Sequence, residues 1–353
     1  MAVFDITNYC NTSCTYCNRK NISGTGNLRQ EPSIDTIIDI HEQLKALGVE
    51  HLALQGGEPL LRKDIVSVIQ QIRKLRGKPY LDLKSRWDAL ISKQLTHNRL
   101  QVMCYQILKD IGFPIMSITT NGTYYSKDIE QALFNANFHL EVSLDACEEQ
   151  LNCQFRKGGS FDLITDTITK YARMLPVIMN TTVYKENVSQ IDKLISFAHK
   201  LGCIHIVLNP LRTAGTYADW TDDYLTQINK ILDTAEQRNL TILVEFILPM
   251  NRVAGTNALD ELKHKLRKAS NVMIQFYKCQ AYKNMESIYI GSDLEVYGCP
   301  WIAGFKKYSI GNVGKQPISE LWELKCIGKF CNTNHEDNKL DCTAADNCRG
   351  NLL

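Results

Sequence analysis

The sequence predicts an α/β fold: a partial (β/α)6 barrel over residues 1–245, followed by a small cysteine-rich α+β domain over 246–353. Three observations lead there. Short runs rich in β-branched and aromatic residues alternate with longer amphipathic stretches, the pattern of a parallel sheet with helices outside. The alternation makes six or seven units, more than a small open sheet needs. From about residue 250 it stops, and the remaining chain is rich in cysteine, Gly, Asn and Asp with little apolar sequence to form a core.

Taken in order, "VFDIT" (3–7) is the first strand. A helix opens at "EPSID" with Ser33 as its N-cap and closes at Gly48. "HLALQ" (51–55) precedes a helix near 62–75, and "IMSITT" (115–120) one near 126–136. "FHLEVSLD" (138–145) leads to a helix near 161–174, "VIMNTTV" (177–183) to one near 188–201, and "IHIVLN" (204–209) to one near 221–238. "LTILVEF" (240–246) completes the series. Residues 80–112 break the rhythm with an inserted amphipathic helical segment, expected as an outer helix on the barrel wall or as a substrate or partner surface.

A hydrophobic fraction of 44% and a mean hydropathy of -0.22 describe a globular chain with a sizeable core. No apolar run is long enough to span a bilayer, and the start "MAVFDITNYC" lacks the regions of a signal peptide, so a cytoplasmic protein is expected. With 40 basic and 38 acidic residues there is no electrostatic footprint for nucleic acid or membrane. Thirteen cysteines in a reducing compartment point to metal or redox chemistry instead of disulfides.

Three of them, Cys10, Cys14 and Cys17, stand at C-x3-C-x2-C spacing at the carboxyl end of the first strand, the end where parallel barrels gather their active sites. Three thiolates on one loop can ligate three irons of a cubane and leave the fourth open. A structural zinc would need a fourth ligand, for which the adjacent Asn8, Asn11 and Asn18 are poor candidates. After the second strand, "GGEP" supplies Gly56 and Gly57, which let the backbone approach a ligand without a Cβ in the way. Glu58, an acceptor for an ammonium, and Pro59 complete it.

The pairing of Cys10, Cys14, Tyr16 and Cys17 with GGEP resembles the radical S-adenosylmethionine (radical SAM) enzymes. The resemblance covers about 1–245 and implies a [4Fe-4S] cluster whose open iron is chelated by S-adenosylmethionine (SAM). An electron from the cluster cleaves the cofactor to a 5′-deoxyadenosyl radical, and the protein orients the cofactor. It further implies cofactor-binding roles for Tyr16, Gly56, Gly57, Glu58, Pro59, Thr120, Asn121, Ser143, Asn180, Thr182, Asn209 and Leu211. Arg156 falls where similar enzymes place an arginine near the SAM carboxylate, a group suited to a guanidinium. An electron donor such as flavodoxin or ferredoxin is implied as a partner.

The tail is similar to the SPASM/twitch extensions that hold auxiliary iron–sulfur clusters in one branch of the family, with "GCPW" and "IGNV…ELW" as landmarks. Cys279, Cys299, Cys342 and Cys348 are the implied ligands of one auxiliary [4Fe-4S] cluster. Lys339 and Leu352 replace cysteines of the full SPASM pattern, so a second auxiliary cluster fits less well; Cys326 and Cys331 are spare ligands, and a structural zinc is the alternative. Cys203 and Cys104 read as buried filler. Cys147 and Cys153, following the fourth strand, are candidate hydrogen-atom donors, and Asp145 is a candidate base beside the substrate.

The implied chemistry is hydrogen abstraction from an unactivated C–H bond. The first expectation for the substrate is a ribosomally made precursor peptide, to be cross-linked, epimerised or oxidised. The chain begins at the first barrel strand, so a separate partner would recognise the peptide. A small molecule, a sugar or aminocyclitol that is dehydrogenated or epimerised, is the second; a non-catalytic zinc-binding scaffold is the third.

Overall fold

The computed structural model describes residues 1–17, 29–76, 81–211, 221–249, 257–277, 287–298, 300, 303–304 and 306–326. Its elements are β1 (Ala2–Thr7), α1 (Ile34–Ala46), β2 (His51–Gly56), α2 (Ile65–Arg76), α3 (Leu83–Ile91), α4 (His97–Ile111), β3 (Ile115–Thr120), α5 (Lys127–Asn135), β4 (Phe138–Ser143), α6 (Glu149–Phe155), α7 (Phe161–Tyr171) and β5 (Val177–Val183). These are followed by α8 (Ile191–Lys200), β6 (His205–Pro210), α9 (Thr221–Arg238), β7 (Leu243–Pro249), α10 (Asn257–Leu266), β8 (Val272–Tyr277), β9 (Ile288–Ile290), β10 (Glu295–Tyr297), β11 (Gly311–Asn312) and α11 (Ile318–Cys326).

All strands join one 11-stranded sheet in the order β11-β10-β9-β1-β2-β3-β4-β5-β6-β7-β8. Every pairing from β1 to β8 is parallel, as strand–helix–strand crossovers require. β9 pairs parallel with β1, and β10 and β11 follow antiparallel, so β8 and β11 are the two edges.

The alternation expected to stop near 250 continues through α10 and β8, and the expected boundary at 245/246 falls inside β7. The signal was weak because "NALDELKHKL" buries only Leu262 and Leu266. The described part of the expected small domain, β9 to β11, extends the main sheet at its β1 edge. Cys279, Cys299, Cys331, Cys342 and Cys348 lie outside the described residues.

Local signals explain the helix boundaries. Ser33 caps α1 as expected, its hydroxyl accepting from Thr36 N at 3.1 Å, and Gly48 follows the helix at φ +72°. The outward residues of the strands, among them Phe4, Leu54, Ile118, Leu140, Met179, Ile206 and Val244, meet the helices in one fully buried core. Truncating such a side chain to Ala costs about 2–5 kcal/mol.

The opposite face is polar. Alternate residues in register across the sheet, Thr119↔Glu141, Ser143↔Asn180, Thr182↔Asn209 and Val207↔Glu245, share it, and Thr119, Glu141, Ser143, Asn180, Thr182, Asn209 and Glu245 are all half-buried. Helices α3 and α4, which replace the single inserted helix expected over 80–112, form their own cluster across the amino ends of the later strands. Leu83, Trp87, Leu90, Leu100 and Ile107 meet Ile204 and Leu243 there. Asn271 fastens them, its main-chain N–H donating to Leu95 O at 2.9 Å and its side chain to Ile91 O at 2.8 Å. The insertion thus closes the end of the sheet opposite the cysteine loop.

Candidate functional site

The carboxyl ends of β1 to β5 support the loop that carries Cys10, Cys14 and Cys17. Tyr9 N donates to Thr7 Oγ1 at 3.1 Å as the chain leaves β1. Two main-chain bonds then sew the loop to the carboxyl end of α6 and the residues just after it: Ser13 N to Lys157 O and Thr15 N to Phe155 O, each 2.8 Å. Cys14 therefore stands opposite Arg156.

The donors around the sulfurs suit thiolates. Thr12 N lies 3.5 Å and the Asn121 amide 3.7 Å from Cys10 Sγ, and Arg156 Nη1 is 3.9 Å from Cys14 Sγ. The Thr12 hydroxyl sits between Cys10 Sγ at 3.2 Å and Cys14 Sγ at 3.9 Å. Burial pushes the Cys14 thiol up, and the Arg156 guanidinium opposes that shift. All three cysteines are half-buried and free. Among the described residues no group of His, Cys, Asp or Glu gathers closely enough for a single metal ion. A donor set of three thiols with N–H groups aimed at sulfur fits a cluster, in which each thiolate serves its own iron.

The GGEP segment is tied into the protein's own backbone. Gly56 and Gly57 are needed by the protein's own backbone: a Cβ would meet Thr7 O at 2.2 Å and Tyr9 O at 2.0 Å respectively. That closeness is the pairing of β2 with the exit of β1, where Gly57 N donates to Thr7 O at 2.8 Å and Glu58 N to Tyr9 O at 2.6 Å. Glu58 is fully buried, with Oε1 accepting from Leu60 N at 3.0 Å and Thr120 Oγ1 at 2.7 Å, and Oε2 from Asn121 N at 2.6 Å. Burial pushes its carboxyl up to about 7. It is a brace between β2 and β3, held by three donors. Pro59 opens the short 3-10 turn Pro59–Leu61 that Glu58 caps.

Asp145 and Arg156 form a buried ion pair. Asp145 is fully buried; Oδ2 accepts from Arg156 Nε at 2.8 Å and from the Tyr16 hydroxyl, and Oδ1 from Thr182 N at 2.8 Å. Three donors thus hold this enclosed carboxylate in place. Arg156 is 8% exposed, and its guanidinium carbon lies 5.7 Å from the centre of the Tyr16 ring. Its Nε is on Asp145 and its Nη1 faces Cys14. Burial would lower Arg156, but Asp145 and Tyr16 hold it above its ordinary value. Burial raises Tyr16 well above its own.

Of the remaining expected residues, Thr120 and Asn121 serve Glu58 and the cysteine loop, the Asn121 amide also donating to Asn11 Oδ1 at 2.8 Å. Ser143, Asn180, Thr182 and Asn209 share the polar face, and buried Asn209 Oδ1 has no partner among the described residues. Leu211 instead packs against the main core. Cys147 also packs against that core, and burial pushes its thiol up to about 11. Cys153 Sγ contacts Gly159 O at 3.4 Å. Cys203 is buried and Cys104 half-buried, as filler should be.

Sequence reasoning missed Thr12, Glu141 and Glu245. Thr119 Oγ1 donates to Glu141 Oε2 at 3.1 Å, and His205 Nε2 lies 3.1 Å from Glu245 Oε2. The signal was present as strand alternation: each Glu falls on the polar side of a period-two pattern.

The protein resembles solved structures along most of its length. Streptococcus suis SuiB bound to S-adenosylmethionine matches with a TM-score of 0.62 at 17% identity, over 91% of this chain and 64% of that one. The protein anSMEcpe with bound AdoMet matches with a TM-score of 0.57 at 15% identity, over 99% and 88%. At these identities the likeness is one of fold. Among curated proteins, one named "Probable GTP 3',8-cyclase" from Sulfurisphaera tokodaii is 26% identical over 232 residues, 64% of this chain and 61% of that protein. The GTP 3',8-cyclase of Limosilactobacillus fermentum is 23% identical over 241 residues, 67% and 61% respectively. The chain thus spans about three-fifths of the length of these relatives. The family model described as the radical SAM superfamily matches residues 4–198, more than half of the chain and all of the cysteine loop, GGEP and Arg156: the chain belongs to the radical SAM superfamily.

Proposed function

We propose that Cys10, Cys14 and Cys17 hold a [4Fe-4S] cluster and that the protein uses SAM to abstract a hydrogen atom from an unactivated C–H bond. The observation that carries this reading is the donor set itself: three half-buried thiols on one loop, with Cys10 met by N–H donors of Thr12 and Asn121 and Cys14 by Arg156. When bound, the cluster and SAM supply the reductive carbon–sulfur cleavage and the 5′-deoxyadenosyl radical. The chain's part is to fix the cysteine loop through Gly57, Glu58 and Asp145, and to present the polar sheet face to the substrate. Residues Asn180, Thr182 and Asn209 on that face are the proposed SAM and substrate contacts, with Tyr16 and Ser143 beside them.

For the substrate we favour a peptide. The strands β1 to β8 carry no Lys or Arg, whereas Glu141 and Glu245 are half-buried on the polar face. Such a lining suits neutral or cationic groups, as peptide side chains and amino sugars offer, and opposes a triphosphate. The curated relatives' names favour a second reading, a purine nucleotide triphosphate, which would need cations from outside these strands. Cys279, Cys299, Cys342 and Cys348 remain the proposed ligands of an auxiliary cluster, with a low-potential flavodoxin or ferredoxin as electron donor.

The test is anaerobic reconstitution of the full chain with iron and sulfide, then SAM and reductant. A brown protein that releases 5′-deoxyadenosine is expected, and changing Cys10, Cys14 and Cys17 together to Ala should abolish the release. Release that survives the triple change refutes the cluster assignment. A colourless protein that binds zinc refutes the enzyme reading. GTP consumption by the wild type would replace the peptide with the nucleotide.

A further inference from the structure

We propose that Arg156 is a positioning residue that sets the electron affinity of the cluster through Cys14, with Asp145 as the opposing charge. The inference rests on the cluster reading above and on an arrangement of this chain's own residues.

The main chain aligns the pair. Ser13 N and Thr15 N, flanking Cys14, donate to Lys157 O and Phe155 O, which flank Arg156. This two-rung tie holds the residue opposite Cys14 whatever its side chain. The side chain is held as firmly. Its Nε donates to Asp145 Oδ2 at 2.8 Å, and Asp145 in turn is held by the Tyr16 hydroxyl and by Thr182 N at 2.8 Å. Beyond that bond, Nη1 of the guanidinium faces Cys14 Sγ at 3.9 Å. The ensemble is nearly free of solvent, with Asp145 0% and Arg156 8% exposed, so screening is weak.

Arginine keeps its charge at any accessible pH. A fixed cation beside one thiolate stabilises the additional negative charge that reduction brings to the cluster. The potential of thiolate-held clusters follows net charge, hydrogen bonds to sulfur and solvent exposure, and Arg156 bears on all three. Asp145 carries the opposite charge from the far side of the guanidinium and trims the effect. The pair therefore makes a signed prediction that a merely structural tie does not.

The experiment is a redox titration of the anaerobically reconstituted full chain without SAM, followed by electron paramagnetic resonance of the reduced cluster. Arg156→Gln should move the midpoint potential to a more negative value. Asp145→Asn, which leaves the cation unopposed, should move it to a more positive value. Arg156→Lys keeps the charge and should shift it less than Arg156→Gln. Shifts of the same sign in Arg156→Gln and Asp145→Asn, or none in either, overturn the proposal. Should Arg156→Gln fail to hold a cluster, Asp145→Asn decides by itself: a potential that is unchanged or more negative overturns it. A wild-type chain that assembles no [4Fe-4S] cluster overturns the cluster reading and this inference together, whereas an intact cluster with unresponsive potentials overturns only the role of Arg156.

Discussion

Glu58 at the end of β2 accepts from the Thr120 hydroxyl at the end of β3 at 2.7 Å, and this buried bond joins the strand ends on which the cysteine loop rests. Burial holds the carboxyl at about 7, above its ordinary 4.5. A folded-state pKa raised in this way gives stability that is complete below about pH 4.5 and lost as pH rises through about 7. Glu58→Gln should remove that component, so the difference in unfolding free energy between variant and wild type should change across this window. The amide also offers one acceptor oxygen to three donors, which costs about 1–3 kcal/mol. Chemical denaturation at a series of pH values measures both, and parallel pH curves would contradict the burial argument.

Gly57 should tolerate no side chain. A Cβ there would lie 2.0 Å from Tyr9 O, an atom of the cysteine loop's own backbone. Gly57→Ala is expected to cost about 3 kcal/mol or more, and to displace the loop so that reconstituted iron falls. Gly48→Ala is the control. That residue has φ +72° but nothing within 4 Å of its would-be Cβ, so only the left-handed backbone is strained, at about 1 kcal/mol. Equal costs at the two positions, by thermal unfolding, would show that the contact with Tyr9 yields easily.

These residues also show what the sequence could and could not disclose. The strands were legible because their outer residues are apolar at every second position and bounded by turns; β8 escaped because the helix before it has too few apolar residues to mark a period. The cysteine loop and GGEP announced themselves by spacing. The roles of Glu58, Asp145 and Arg156 did not, because each depends on a partner far away in the chain. Tyr16 lies 129 residues from Asp145, and Thr120 62 residues from Glu58. A carboxylate in a sequence reads as an available base or acceptor. Only the fold shows which donors it already serves.

Removing the thiols of Cys147 and Cys153 tests them as hydrogen-atom donors. Cys147 packs against the main core, and Cys153 is within 3.4 Å of the Gly159 carbonyl. Cys147→Ala and Cys153→Ala, alone and together, should leave 5′-deoxyadenosine yield unchanged. Product formed in deuterated water should also carry the same label as with wild type. Loss of solvent deuterium in either variant would restore that thiol as a hydrogen-atom donor.

His139 offers a second pH dependence, of opposite sign and at the far end of the sheet. The Trp87 indole of the inserted helix α3 donates to its Nε2 at 2.9 Å, and the two rings meet edge to face at 5.8 Å. Burial, with His51 and Arg76 nearby, pushes the imidazole down to about 3, so it stays neutral while the unfolded chain protonates near 6.5. The unfolded state therefore binds more protons between those values, and stability falls as pH drops through 6.5 toward about 3. His139→Gln retains an acceptor for the indole and should flatten this slope by about one proton. Trp87→Phe removes the donor while keeping a ring, and should cost about 1–3 kcal/mol at neutral pH, because the imidazole nitrogen is left buried and unpaired. Hydrogen exchange of α3 and α4 should rise in Trp87→Phe before the rest of the sheet is affected. If exchange there matches wild type, the insertion is held by its apolar contacts alone and the Trp87–His139 bond contributes nothing to closing that end.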